Sequence, residues 1–216
     1  SIFFVAFGAE EMGLIGSKYF VNSNLIPNDK IQIMINLDMV GRLNDKKTIN
    51  ISGTKTAINL ESIITPYIDN NGLRSTFSSE GYGPSDHSSF YVKDVPVLFF
   101  FTGAHTDYHT PFDDYQKLNY KGMKVIHNLL HQLILEFDES DKLKFQEAGS
   151  KKPSRPSRFK VTLGIMPDYV FKETKGLRID AVIPSKPAFN AGLLDGDIII
   201  QMDNKPVNDI YEYMHR

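Results

Sequence analysis

The sequence predicts an α/β fold: a partial α/β/α domain whose mostly β sheet is flanked by helices, followed by a small β-rich domain that is cut short. Three observations carry this. Apolar runs at residues 2–8 and 95–101 read as strands covered on both faces. Between and after them lie segments with helical periodicity. From 149 to 158 the composition switches to Gly-Ser-Lys-Lys-Pro-Ser-Arg-Pro-Ser-Arg, which holds no large apolar residue and reads as a linker. The expected division is residues 1–148, a linker at 149–158, and a domain at 159–216.

Residues 2–8 are expected to form a buried strand. The run has no basic start and leads straight into Glu10-Glu11, unlike a signal peptide. A chain that opens in mid-strand is expected to have lost what came before. Gly13 to Asn22 reads as a short helix. Ile31 to Leu37 reads as a strand with Ile31, Ile33, Ile35 and Leu37 on one face. Thr48 to Ser52 reads as a shorter strand near an edge. Ile58 to Asn70 is amphipathic and helical, ended by Asn71-Gly72. Ser78 to Ser89 reads as a loop, Val95 to Phe101 as a buried strand, and Thr102 to Leu118 as a long loop. Asn119 then caps a helix whose apolar positions are Met123, Ile126, Leu129, Leu130, Leu133, Ile134 and Phe137.

Beyond the linker, Arg178 to Ile183 and Asp197 to Met202 read as short strands. From Ala188 a short apolar helix is expected to end at Gly192, with turns at Gly196-Asp197 and Asp203-Asn204-Lys205-Pro206. A last helix is expected near Asn208, and the chain stops at Arg216 before any closing strand.

The chain has 216 residues, a formal net charge of -2 and no cysteine. Disulfides and thiolate metal sites are therefore excluded. No basic stripe points to nucleic acid, and no apolar run is long enough to cross a membrane.

Polar clusters follow three of the apolar runs, those ending at residues 8, 37 and 101. Glu10-Glu11 follows the first, Asp38 the second, and the loop with His105, Asp107, Tyr108 and His109 follows the third. In α/β sheets, ligand sites gather beyond the carboxyl ends of strands. Carboxylates and imidazole without thiolates suit a hydrolytic zinc site. At Glu10-Glu11, one carboxylate can bind metal while its neighbour takes a proton from water. The same pair could simply open a helix under the helix dipole. Asp38 could simply cap a turn, and His109 could simply be a polar surface residue; against the latter, Asp113 follows at a spacing that could orient its ring. His127 and His131 stand four apart on a helix but lack the glutamate of a zinc-protease motif. A helix face beside the core is the simpler account of them.

Taken together, Phe7-Gly8-Ala9-Glu10-Glu11-Met12-Gly13-Leu14-Ile15-Gly16-Ser17, Asn36-Leu37-Asp38-Met39-Val40-Gly41, Ser85-Asp86-His87 and Tyr108-His109-Thr110-Pro111 resemble the co-catalytic zinc exopeptidases of the bacterial leucyl aminopeptidase type. Glutaminyl cyclase and glutamate carboxypeptidase II are relatives. The resemblance runs from residue 1 to about 137. It implies Glu10 as general base, Glu11 and His109 on one zinc, Asp38 on the other, and Tyr108 as a donor to the developing oxyanion. Asp86 and His87 would support the site. The resemblance also implies a secreted or periplasmic enzyme that removes N-terminal residues from peptides. Such sites need a further histidine and a bridging aspartate, which this chain does not match, so the chain alone is expected to bind zinc poorly.

The Ala-Gly-Leu…Gly-Asp pattern at 191–197 resembles a PDZ domain of the bacterial protease-associated type. Leu163, Gly164, Ile165 and Met166 would then resemble its loop for a peptide C-terminus. Two other readings stay open: a noncatalytic peptide-binding protein and a glutaminyl cyclase-like enzyme.

Overall fold

The computed structural model describes residues 1–149, 163–168, 175–208 and 212–213. The expected linker beyond Gly149, and the start and end of the helix expected near Asn208, lie outside these residues. The chain divides into two compact units, Ser1–Thr102 with Asn119–Pro153, and Gly103–Leu118 with Ser154–Arg216.

In the first unit the elements are α1 (Ile15–Ser23), β1 (Met34–Leu37), β2 (Thr48–Ser52), α2 (Leu60–Asn70), β3 (Arg74–Ser78), α3 (His87–Tyr91), β4 (Val97–Phe101) and α4 (Tyr120–Glu139). The sheet order is β1-β4-β2-β3. β1 runs parallel to β4, β2 antiparallel to β4, and β3 parallel to β2. β4 is apolar throughout because it lies inside the sheet, with its first four residues buried.

Two cores cover the sheet. One contains Ile49, Ile51, Leu98, Phe100 and the inner faces of α2 and α4. The other holds Val21, Phe90, Tyr91, Val95 and Val97, with Phe7 and Phe20 packed against it. α4 begins as its sequence predicts: the Asn119 side chain accepts from the Gly122 N–H at 2.9 Å. Its buried positions Ile126, Leu129, Leu133 and Phe137 keep helical spacing. His127 and His131 are exposed, so they do not lie against the core.

Four further expectations for this unit need correction. Residues 2–8 form no strand, and Phe3 and Phe4 are 64% and 88% exposed. A strand exists only where a ladder partner takes its backbone groups, and among the described residues none pairs with this run. The strand expected from Ile31 starts at Met34, and Ile31 packs on the second core rather than the first. β2 lies inside the sheet rather than at an edge, with Ile49 and Ile51 fully buried. Its brevity comes from a turn at Gly53, not from an edge position. Lastly, the expected loop at 78–89 conceals the end of β3 and the start of α3.

The second unit contains β5 (Ile165–Pro167), β6 (Leu177–Val182), α5 (Pro187–Asn190), β7 (Ile198–Ile199), β8 (Gln201–Met202) and β9 (Lys205–Pro206). β6 stands between β5 and β7, antiparallel to both. Its core is Ile179, Val182 and Ala188. Asp203 and Asn204 both adopt positive φ and close the β8–β9 hairpin, the conformation a two-residue hairpin turn requires. The strand expected over 197–202 is interrupted at Ile200, where β7 and β8 take different partners. The loop Gly103–Leu118 groups with this unit, a partition that composition along the chain does not announce. Among the described residues, no helix is long and apolar enough to cross a membrane.

The Gly53 turn is the tightest point beside β4. Gly53 has φ +84°, and a Cβ there would sit 2.3 Å from the Val97 carbonyl oxygen. Gly72 has φ +63°, but a Cβ there would meet only the Lys47 Nζ at 3.9 Å. Gly72→Ala should therefore cost only about 1 kcal/mol, from its backbone conformation. Gly53→Ala should cost on the order of 3 kcal/mol, because it also overpacks the sheet. Urea denaturation midpoints of the two variants check this, and equal losses would count against the tight approach.

Candidate active site

Glu10 and Glu11 sit on a turn that the backbone ties down. The carbonyl of Gly8 accepts from the Gly16 N–H at 3.0 Å, and that of Ala9 from Ile15 at 3.2 Å. The Glu10 carbonyl accepts from Gly13 at 3.0 Å and from Leu14 at 2.8 Å. Gly16 must lack a side chain, since a Cβ would lie 2.5 Å from the Gly8 oxygen. α1 starts at Ile15 and has no acidic residue in its first turn. The pair therefore precedes the helix rather than decorating its first turn, and the dipole account of two adjacent acids loses its geometry.

Asp38 follows β1 directly. Its N–H donates to the Phe100 carbonyl at 3.1 Å, extending the pairing with β4. Met39 turns left-handed with φ 49°, and its carbonyl accepts from the Thr102 hydroxyl. The carboxylate is held by a short relay. Asn36 Nδ2 donates to Ser85 Oγ at 2.8 Å, and the Ser85 hydroxyl is hydrogen-bonded to Asp38. Asn36 and Asp38 are two apart and so share a face of the strand. That spacing is the signal in the sequence that could have singled out Asn36. Ser85 was visible only as part of a motif, and its bridging role depends on the fold.

Burial pushes the Asp38 carboxyl above its usual range, opposed by the bond to Ser85. The charges of Glu11 and Asp86 push it further up, and the Met39 N–H pulls it down. The structure thus brings Glu11, Asp38 and Asp86 into one electrostatic neighbourhood.

Asp86 is buried, and its Oδ1 has no hydrogen-bond partner. His87 is fully buried at the start of α3, and neither ring nitrogen has a partner. Its ring stacks on Phe99 with centroids 4.5 Å apart and planes 9° apart. Burial lowers its pKa to about 3, so the imidazole is neutral at pH 7.

Tyr108, His109 and Asp113 lie on the Gly103–Leu118 loop of the second unit. His109 adopts φ 54°, and its ring stacks on Tyr108 with centroids 3.8 Å apart. The Asp113 carboxylate stands 3.7 Å from the His105 imidazole. Asp107 pairs with Lys117 at 2.7 Å.

Among the described residues, no group of three or more His, Cys, Asp or Glu side chains stands ready to hold a metal ion. The donor chemistry nevertheless suits one. Asp38 is raised by burial first and by two neighbouring acids second, and a bound cation would favour its ionised form. Oxygen donors with imidazole, and no thiolate, fit zinc in a hydrolytic setting.

Residues 1–134 match peptidase family M28. The "leupeptin-inactivating enzyme 1" of Streptomyces exfoliatus is 37% identical over 99 residues, 45% of this chain and 22% of that protein. The crystal structure of the LapA aminopeptidase of Legionella pneumophila superposes with a TM-score of 0.54 at 25% identity, covering 62% of this chain and 38% of that one. The structure of BSAP, described as a zinc aminopeptidase from Bacillus subtilis, gives a TM-score of 0.53 at 22% identity, over 67% of this chain and 38% of that one. The chain thus spans about a fifth of the length of the curated relatives it matches.

His87 should make stability depend on pH. Its pKa is depressed from 6.5 to about 3 on folding, so its contribution is fully present above 6.5 and is lost as pH falls toward 3. Between pH 7 and 4.5 the parent should lose roughly 2 kcal/mol more than His87→Leu. Denaturation midpoints of both proteins at the two pH values test this. Parallel losses would show that His87 does not titrate as a buried neutral ring.

Proposed function

The chain belongs to peptidase family M28, and from that membership we propose that it is part of a zinc-dependent aminopeptidase that removes N-terminal residues from peptides. The observation that carries the reading is the buried, Ser85-bound Asp38, which feels the like charges of Glu11 and Asp86. The names of its relatives support it. The resemblance assigns Glu11 and His109 to one zinc and Asp38 to the other. Zinc, when bound, would supply Lewis acidity at the scissile carbonyl.

The chain's own residues do the rest in this reading. Glu10 accepts the proton of the attacking water and later returns it to the leaving amine. The backbone hydrogen bonds of the turn at 8–16 fix the main chain from which Glu10 projects. The Asn36–Ser85 relay orients Asp38, and burial of the relay shields it from competing water. Tyr108 donates a hydrogen bond from its hydroxyl to the oxygen that gains charge. Secretion or a periplasmic setting belongs to the same proposal.

Glu10→Gln in the complete enzyme should keep the zinc and lower turnover by about 100- to 10,000-fold, the span of general-base contributions. Metal content and hydrolysis of an aminoacyl anilide in one preparation check this. Near-normal turnover would remove Glu10 from the role.

The segment after the linker is proposed to be an accessory PDZ-like domain that takes a peptide C-terminus. Gly164 has φ +78°, and the carbonyls of Leu163 and Gly164 are held by the Ala188 and Ile183 N–H groups, both at 2.9 Å. β5 is an edge strand among the described residues, which suits addition of a peptide strand. A recess of about 470 Å³ is lined by Leu163, Leu193, Asp197, Ile198, Ile199, Ile200, Gln201 and Met202. Fluorescence anisotropy should show a free-carboxylate peptide binding at least about tenfold more tightly than its amide, the loss of one charge-assisted bond. Equal binding would exclude carboxylate recognition.

A further inference from the structure

β6 alternates as a half-covered strand should. Leu177, Ile179 and Ala181 are buried, while Arg178 and Asp180 lie on the other face. Arg178 Nη1 is paired with Asp168 Oδ2 at 3.0 Å. Asp180 is used differently. Its Oδ2 accepts the backbone N–H of Ala104 at 2.7 Å, a short, charge-assisted bond. Burial pushes the Asp180 carboxyl up, and the Ala104 N–H pulls it back toward the ionised form.

Ala104 is the second residue of the loop that carries Tyr108 and His109, and that loop is braced internally. The N–H groups of Tyr108 and Thr110 donate to the carbonyls of His105 and Asp107, each at 3.0 Å. The Thr110 hydroxyl donates to the Asp107 carbonyl at 2.7 Å, and Lys117 holds the Asp107 carboxylate. These bonds tie residues 105–110 and Lys117 into one braced segment. Its entry bends at Gly103, which has φ +104° and so needs glycine's freedom. An anchor at Ala104 therefore sets where Tyr108 and His109 stand.

We propose that Asp180 is a positioning residue for the peptidase reaction: by accepting the Ala104 N–H it fixes the Tyr108–His109 loop, so that the segment after the linker supports catalysis structurally. The catalytic half of this statement rests on the roles proposed above for Tyr108 and His109. The tether itself does not.

The test uses Asp180→Ala, Asp180→Asn and Arg178→Ala in the complete protein, with site-resolved amide hydrogen exchange and anilide hydrolysis. Asp180→Ala should speed Ala104 exchange about 10- to 100-fold, the loss of one charge-assisted bond. It should also lower kcat about tenfold, with KM changing less. Asp180→Asn, whose amide oxygen still accepts, should restore most of both. Arg178→Ala should leave Ala104 exchange unchanged. Unchanged Ala104 exchange in Asp180→Ala overturns the tether whatever the activity. Equal acceleration in Arg178→Ala also overturns it, by showing that β6 has merely loosened. Normal kcat with accelerated exchange overturns the catalytic half. A parent protein without turnover would sink the peptidase reading, and the exchange data would still decide the tether.

Discussion

Burial of β4 is the constraint on which the candidate site in the first unit depends. Residues 97–100 are buried, so the strand must have both ladder edges occupied. β1 and β2 occupy them. The Phe100 carbonyl then places the Asp38 N–H, and Thr102 holds the Met39 carbonyl. Phe99 provides the ring on which His87 stacks. Polar groups of the site are thus hung on an apolar strand that cannot shift without exposing its core. The cost of opening such a core, about 1.5–3 kcal/mol for each large side chain exposed, is what keeps the polar geometry rigid.

Electrostatics at the end of β1 work against the fold's own stability. Burial already disfavours the Asp38 carboxylate, and Glu11 and Asp86 add like charge. Ser85 returns part of that cost through its hydrogen bond. A buried imidazole held neutral and without hydrogen-bond partners adds a further polar cost at His87. Polar groups left unsatisfied in a core mark places where function, rather than stability, sets the residue type.

The second unit follows a different economy. Its core is small, with three buried cluster residues and short strands, and tight turns at Gly192, Gly196 and Asp203-Asn204 shape it. The polar bonds that brace the Gly103–Leu118 loop matter correspondingly more, because none of the loop's residues is buried.

Much of this was legible in the residues. Asn119 announced α4 because an N-cap side chain acts within three residues. β2, α2 and β4 followed from local periodicity, and Glu10-Glu11 and Asp38 from their place after apolar runs. α3 and β3 were hidden, since a Ser- and Gly-rich stretch reads as loop until Phe90 and Tyr91 find a core. The run at 2–8 had the composition of a strand, but pairing is a property of neighbours, and no described residue pairs with it. The interior position of β2 likewise depended on which strands came beside it. The relay from Asn36 through Ser85 to Asp38 joins residues 49 apart, and the Ala104–Asp180 bond joins residues 76 apart. The sequence by itself determined which residue types were present for chemistry and which short segments would be helix or strand, because those choices are settled by contacts within a few residues. Only the tertiary structure decided which acids share a charge and which carboxylate holds which loop, because those depend on separations in space that periodicity along the chain does not encode.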